Sequence, residues 1–142
     1  MELTKNQFFK RQITLPEIGE IGQQKLQNAS VLVAGCGGLG SPIAVYLATS
    51  GVGKIHLVDF DTIDITNLHR QVFYSLDDVG KPKAETLSIF IKKRAPFTEV
   101  NFTNSRISKD TIFKLLEGID IVIDATDSLP TKYLLNDACV LK

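Results

Sequence analysis

The chain has 142 residues, of which 44% are hydrophobic and 23% charged, and its 16 basic residues balance its 16 acidic ones. The zero net charge gives no basis for bulk binding to nucleic acid or to a membrane surface. The length suits one globular domain, and we expect a cytoplasmic location because no apolar run approaches the roughly 20 residues of a transmembrane helix and the N-terminus lacks a signal core.

Predicted helices and strands alternate along the chain. An amphipathic pattern predicts a helix over residues 16–28, and a β-branched run predicts a strand over residues 30–35. The elements that follow are a helix over 39–50, a strand over 54–60, a helix over 82–93, a strand over 98–104, a helix over 109–117, a strand over 119–126 and a helix over 130–141. Apolar strands suit a sheet covered on both faces, and the alternation indicates right-handed βαβ units. The sequence therefore predicts an α/β fold, Rossmann-like and doubly wound, with a mainly parallel sheet and flanking helices.

A glycine-rich turn joins the first predicted strand to the next helix. In "GCGGLG", Gly35, Gly37 and Gly40 have the G-x-G-x-x-G spacing. Such a loop lets the backbone approach a phosphate, and the helix N-terminus offers N–H groups to an anion. Ser41 is placed to cap this helix with its hydroxyl. The pattern predicts phosphate binding, with a glycine turn required only for packing as the alternative.

An acidic residue closes the second predicted strand. Asp59 lies nineteen residues after Gly40, where an acid binds ribose hydroxyls in nucleotide-binding βαβ folds. A solvated carboxylate at a strand end is the alternative interpretation. The loop and the acid alone also fit the NAD(P)-binding domain of an oxidoreductase.

Polar and cationic side chains crowd the segment after Asp59. They are Asp61, Asp64, Asn67, His69, Arg70, Gln71, Lys81 and Lys83. Converging cations near a glycine loop suit a triphosphate, which carries more charge than a pyrophosphate bridge. Asp127 ends the last predicted strand, and the carboxyl ends of parallel strands meet at one edge of the sheet. Asp127 is therefore a candidate Mg²⁺ ligand, with a helix N-cap as the alternative role. The nearby aromatics Phe60, Phe73 and Tyr74 are interpreted as core residues.

Five ordered segments carry a resemblance that covers nearly the whole chain. They read "KRQITLPEIGEIGQQKL", "VLVAGCGGLGSP", "GVGKIHLVDFDTIDITNLHRQ", "VGKPKAE" and "DATD…KYLLNDAC". Together they resemble the MoeB/ThiF/HesA family, relatives of the ubiquitin-activating enzymes. The resemblance implies an adenylyltransferase that uses Mg-ATP to activate the C-terminal Gly-Gly carboxylate of a ubiquitin-like sulfur-carrier protein, in molybdopterin or thiamine synthesis.

The resemblance also implies roles for individual residues. The glycines of the loop, Gly35, Gly37, Gly38 and Gly40, cradle the nucleotide. Asp59 binds the ribose, Asp61 lies beside it, Asn67, Arg70 and Lys83 contact the phosphates, Gln71 completes the motif, and Asp127 serves Mg²⁺. Arg11 reaches across a homodimer interface to the ATP of the neighbouring subunit. Residues 1–29 would then form an arm and helix for dimer contact, and residues 30–142 the ATP-binding domain.

Some features depart from the family pattern. Ser128 stands where asparagine is usual, and Lys132 where arginine is frequent. These changes leave open a catalytically inert nucleotide-binding subunit of the same family. Cys36 and Cys139 do not have the spacing of a zinc site, so zinc is unsupported. The last helical pattern runs to Lys142 without a stop signal, so we expect a piece of a longer protein.

Overall fold

Four parallel strands form the sheet of the protein. The structure, a computed structural model, describes residues 4–142. Its strands are β1 (Ser30–Ala34), β2 (Lys54–Val58), β3 (Glu99–Thr103) and β4 (Ile121–Asp124). They lie in the order β3-β2-β1-β4, and every pairing is parallel. The predicted α/β, Rossmann-like fold is confirmed.

Seven α-helices flank or precede the strands in the described part of the chain. They are α1 (Lys5–Phe8), α2 (Lys10–Ile13), α3 (Gly19–Asn28), α4 (Gly40–Thr49), α5 (Lys83–Arg94), α6 (Ile112–Leu115) and α7 (Leu129–Leu141). Two predicted helices are shorter than expected. Gly19 has a φ of 56°, in the left-handed region, so a right-handed helix cannot continue through it toward residue 16. The helix α3 therefore begins at Gly19. The backbone N–H of Ser108 donates to Thr111 Oγ1 and holds a turn where α6 was predicted to begin.

Side chains from β1 enter two hydrophobic clusters, one on each face of the sheet. Val31 and Val33 belong to the cluster that also contains residues of α4 and α5, whereas Leu32 and Ala34 belong to the cluster with residues of α6 and α7. This division follows from the two-residue period of a strand. Burial on both faces is therefore confirmed for β1. The prediction is wrong for the outer strands, where Ile121 is 53% exposed.

The N-terminal arm packs at the amino ends of the strands. Phe9 is 3% exposed, and its ring centroid lies 6.0 Å from that of Phe97, just before β3. Gln12 Nε2 donates to the Ser50 carbonyl at 2.6 Å, and Gln23 Nε2 donates to the same oxygen at 3.2 Å. Ser50 precedes β2, so these contacts hold α1, α2 and α3 against the edge opposite the carboxyl ends of the strands.

Candidate functional site

A cleft of about 810 Å³ opens at the carboxyl edge of the sheet. It is lined by segments that follow β1, β2, β3 and β4. Most of the residues predicted to bind a nucleotide contribute to its walls, namely Gly35, Gly37, Gly38, Asp59, Asp61, Asn67, Arg70, Gln71, Lys83 and Asp127. Gly40 and Arg11 are not among its lining residues. The fold therefore brings side chains from distant parts of the sequence to one site.

The glycine loop passes closely over the first turn of α4. A β-carbon at Gly40 would lie 1.8 Å from the Gly35 carbonyl oxygen, so Gly40 serves the packing of the loop on the helix and does not face the cleft. The predicted cap at Ser41 is wrong, because its hydroxyl donates backwards to the Gly37 carbonyl at 2.7 Å. No side chain among residues 4–142 caps α4. The Ser41 N–H donates to the Gly37 carbonyl at 3.0 Å and Pro42 has no N–H, so in the first turn of α4 the Gly40 N–H is left for another acceptor.

Asp59 joins the end of β2 to the glycine loop. One carboxylate oxygen accepts the Cys36 N–H at 2.6 Å, and the other accepts the Asp61 N–H at 2.8 Å. Each carboxylate oxygen has a second lone pair, so Asp59 is still able to accept a hydroxyl from a ligand in the cleft. The carboxylate is thereby fixed in orientation before any ligand binds.

Backbone hydrogen bonds join the two ends of the segment from Asp61 to Lys83 to each other. The Lys83 N–H donates to the Asp61 carbonyl at 3.0 Å, and the Ile63 N–H donates to the Lys81 carbonyl at 2.8 Å. In between, Tyr74 is 6% exposed and its hydroxyl donates to the Cys36 carbonyl at 2.6 Å. Burial raises the pKa of the Tyr74 phenol, so it remains a donor. Tyr74 is core, as predicted, but its hydroxyl fixes the glycine loop, which the sequence did not indicate.

Two cations of this segment reach the cleft in different environments. A β-carbon at Gly38 would lie 3.2 Å from Arg70 Nη1, so the guanidinium lies directly on the glycine loop. Lys83 is 6% exposed, and its ammonium lies 3.3 Å from Asp61 Oδ2. Lys81 instead pairs with Asp78 at 3.0 Å and does not line the cleft. Arg70 and Lys83 are thus the cations of this segment that a ligand in the cleft would meet.

Gln71 also lines the cleft and is 2% exposed. Its Nε2 lies 3.5 Å from the position of a β-carbon at Gly37, and its Oε1 is buried without a hydrogen-bond partner among the described residues. A buried amide oxygen without a partner costs free energy. Gln71 therefore has an unused acceptor at the wall of the cleft.

Asp127 faces the cleft from the end of β4 and is exposed. Its alternative role as a helix cap is wrong, because Ser128 caps α7 by accepting the Thr131 N–H at 3.4 Å. Among residues 4–142 there is no group of three or more His, Cys, Asp or Glu that could hold a metal. Mg²⁺ is usually bound by one or two carboxylates together with substrate phosphates and water, so Asp127 fits a metal that arrives with a phosphate.

Lys132 holds the other acid of "DATD". Its ammonium lies 3.3 Å from Asp124 Oδ2, and the Thr126 hydroxyl donates to Asp124 Oδ1 at 2.7 Å. Partial burial raises the pKa of Asp124, but the hydrogen bonds from Thr126 and the charge of Lys132 outweigh it and keep that pKa below its ordinary value. Lysine at position 132 thus keeps an ionic contact, although it lacks the paired donors of arginine.

The substitution Asp124→Asn should make the free energy of unfolding less sensitive to acid. A carboxylate with a depressed folded-state pKa stabilises the protein above its unfolded pKa, and this contribution is lost as the pH falls through the folded pKa. We expect the free energy of unfolding to decrease more in the wild type than in Asp124→Asn between roughly pH 6 and pH 3. Urea unfolding of both proteins at the two pH values measures the difference, and equal decreases would contradict it.

Arg11 lies far from the cleft of its own subunit. It is exposed on α2, within the arm that packs at the amino ends of the strands. Five-residue strands such as β1 separate that edge from the cleft, and they span roughly 13 Å at about 3.3 Å per residue. Arg11 would therefore not contact a ligand held at the carboxyl edge of the same chain.

The cleft also has a wall that sequence reasoning missed. Phe60, Ser105, Arg106 and Ile107 line it after β2 and β3. Phe60 was predicted to be core but is 48% exposed. The only signal in the sequence is position, since Phe60 ends one predicted strand and the other three residues directly follow the next.

The parallel sheet, the glycine loop, the acid after β2 and the cations around one cleft define a Rossmann-type nucleotide-binding domain. The model described as the ThiF family matches residues 9–142. The chain belongs to the ThiF family, and the predicted resemblance to the MoeB/ThiF/HesA group is confirmed.

Known proteins match this sequence and this structure over nearly the whole chain. The sulfur carrier protein adenylyltransferase of Thermus thermophilus is 41% identical over 143 residues, covering 99% of this chain and 53% of that protein. The adenylyltransferase and sulfurtransferase MOCS3 of Culex quinquefasciatus is 47% identical over 133 residues, covering 94% of this chain and 30% of that protein. The E. coli tRNA N6-threonylcarbamoyladenosine dehydratase TcdA, solved in complex with ATP, matches with a TM-score of 0.90 at 32% identity, over 99% of this chain and 58% of that one. The chain therefore spans between 30% and 58% of the length of these relatives.

None of the helices in the described range, residues 4–142, combines the length and the apolar character that crossing a membrane requires.

Proposed function

We propose that the chain is the nucleotide-binding part of an adenylyltransferase that uses Mg-ATP to activate the C-terminal Gly-Gly carboxylate of a ubiquitin-like sulfur-carrier protein. The observation that carries this proposal is the shared cleft, in which Arg70, Lys83 and Asp127 face the glycine loop. Relatives that are named sulfur carrier protein adenylyltransferase and MOCS3 support it. So does the structural relative in complex with ATP.

The cleft has a partner for each polar part of ATP. The backbone N–H groups of the glycine loop, up to Gly40 at the start of α4, donate to the phosphate oxygens, and Arg70 and Lys83 offset the phosphate charge. Asp59, already oriented by two backbone N–H groups, accepts the ribose hydroxyls. Asp127 would hold Mg²⁺, which when bound offsets charge on the phosphates.

The reaction needs no nucleophile from the protein. An oxygen of the carrier carboxylate attacks the α-phosphorus, a new oxygen–phosphorus bond forms, and the bond to the bridging oxygen breaks as pyrophosphate leaves. Both reactants are anionic, so the preorganised cations reduce their repulsion and stabilise the charge that gathers on the phosphoryl oxygens. Cys36 is not required, and burial raises the pKa of its thiol, so it remains protonated.

A homodimer would give Arg11 its role. Because the arm packs at the edge opposite the cleft, Arg11 would serve the cleft of a second subunit and act there as an arginine finger. Residues 1–29 are proposed as the dimer-contact arm and residues 30–142 as the ATP-binding domain. A cytoplasmic location and a place in molybdopterin or thiamine synthesis remain predictions.

Exchange of labelled pyrophosphate into ATP tests the proposed function. We expect exchange with the chain, Mg²⁺ and a sulfur-carrier protein ending in Gly-Gly, and none with the same carrier amidated at its C-terminus. The amidated carrier is the matched control, because it replaces the nucleophilic carboxylate by a neutral amide and leaves the rest of the carrier unchanged. ATP binding without carrier-dependent exchange would contradict adenylation and favour an inert nucleotide-binding subunit. Binding of NADH that ATP does not displace would contradict the nucleotide assignment.

A further inference from the structure

Phe60 and Arg106 form a stacked pair at the wall of the cleft. The Arg106 guanidinium carbon lies 3.6 Å from the centroid of the Phe60 ring, which is a stacking distance. Phe60 is 48% exposed and Arg106 is also exposed, although both line the cleft. Neither the phosphate contacts nor the ribose contact proposed above uses this pair.

The register of the sheet brings the two residues together. Val58 at the end of β2 pairs with Thr103 at the end of β3, and the Asp59 N–H donates to the Thr103 carbonyl at 3.2 Å. Phe60 follows Asp59 directly, and Arg106 leaves β3 three residues after Thr103. The stacked pair is therefore the immediate neighbour of the carboxylate proposed to bind the ribose.

The charge of Arg106 has no competing partner among residues 4–142. The ion pairs in that range involve Lys54, Lys81, Lys83 and Lys132, and no carboxylate lies within 4.0 Å of the Arg106 guanidinium. A guanidinium that is not held by an acid keeps its planar face available for stacking. Phe60 supports that plane from one side.

We infer that Arg106, backed by Phe60, is the base-binding surface of the cleft and that the nucleotide base stacks on its guanidinium plane. The inference rests on the proposed function, because a base has to follow the ribose that Asp59 binds. Ile107 lies next to Arg106 in the same wall and adds apolar surface. Stacking on arginine depends on the area of the base, so purines bind better than pyrimidines.

Calorimetric titration of ATP and of inorganic tripolyphosphate, both with Mg²⁺, tests this inference, because tripolyphosphate has the phosphates without a base. For Arg106→Ala we expect ATP affinity to decrease by about 5- to 30-fold. The affinity for tripolyphosphate should change by less than about twofold, since Arg106 is not assigned to the phosphates. Preference for ATP over CTP should decrease in the same variant. Circular dichroism checks that the exposed substitution leaves the fold intact.

Two further variants separate stacking from charge. Arg106→Lys keeps the positive charge but loses the plane, so it should lose ATP affinity as Arg106→Ala does. Lys109→Ala removes one charge from the same loop without touching the cleft lining, so both affinities should match the wild type. Full ATP affinity in Arg106→Lys, or equal losses for ATP and tripolyphosphate in Arg106→Ala, would overturn the inference.

The outcome for the wild type distinguishes this inference from the proposed function. If the wild type binds ATP and tripolyphosphate and Arg106→Ala binds both equally well, the base-binding assignment is wrong while the phosphate site stands. If the wild type binds neither compound, the nucleotide assignment of the cleft fails, and the base-binding surface fails with it.

Discussion

Gly40→Ala is expected to lower the free energy of unfolding by more than about 3 kcal/mol, because it forces two backbone segments apart. The added β-carbon would lie 1.8 Å from the Gly35 carbonyl oxygen and 3.2 Å from the Ala125 side chain. Gly35 cannot move away easily, because it packs against the end of β4. Its φ is 92°, and a β-carbon on Gly35 would lie 2.6 Å from the Ala125 carbonyl oxygen. The clash therefore spreads from the glycine loop to the end of β4.

Gly38→Ala is the matched control in the same loop. Its β-carbon would meet Arg70 Nη1 at 3.2 Å, and this is the far end of a flexible side chain. We therefore expect a free energy of unfolding close to that of the wild type, with a change confined to Arg70 and ligand binding. Urea denaturation of the wild type, Gly40→Ala and Gly38→Ala measures the three free energies of unfolding. Equal stability of Gly40→Ala and the wild type would contradict the packing role of Gly40.

Local patterns predicted the parallel sheet and the gathering of charge at its carboxyl edge. The alternation of strand and helix fixes which ends of the strands meet, so the glycine loop, Asp59 and Asp127 share a cleft although they lie far apart in sequence. The same argument brought Arg70 and Lys83 near the glycine loop, and both line that cleft; the family pattern added that they contact the phosphates. Their roles toward ATP remain predictions.

Contacts that depend on tertiary packing escaped prediction. The stacking of Arg106 on Phe60 requires the β2–β3 register, and the Tyr74 hydrogen bond requires the loop to fold back on the glycine turn. The Ser41 hydroxyl and the cap of α7, for which Asp127 was the candidate, were also not predicted correctly, because the sequence does not indicate which nearby carbonyl or N–H lies within reach. Which carbonyl or N–H such a hydroxyl bonds depends on differences of a few tenths of an ångström in the folded structure.

Lys83→Met is expected to weaken ATP binding by about 30- to 300-fold, since it removes a buried cation from the wall of the cleft that we assign to the phosphates. Methionine keeps most of the buried stem, so we expect the fold to persist. The loss has two parts. The phosphates lose a cation, and the Asp61 carboxylate, now without the ammonium at 3.3 Å, faces the phosphates uncompensated.

The double variant Lys83→Met/Asp61→Asn separates these two parts. If repulsion from the unpaired Asp61 contributes, neutralising it should restore ATP affinity by roughly tenfold relative to Lys83→Met. Lys81→Ala is the control, because Lys81 is exposed, pairs with Asp78 and does not line the cleft. Titration calorimetry with Mg-ATP should find it unchanged, and should find Arg70→Ala weakened without any such rescue by Asp61→Asn. Unchanged affinity in Lys83→Met would contradict the phosphate site. No rescue in the double variant would show that Asp61 adds no repulsion, so that the affinity comes from direct contact of Lys83 with the phosphates.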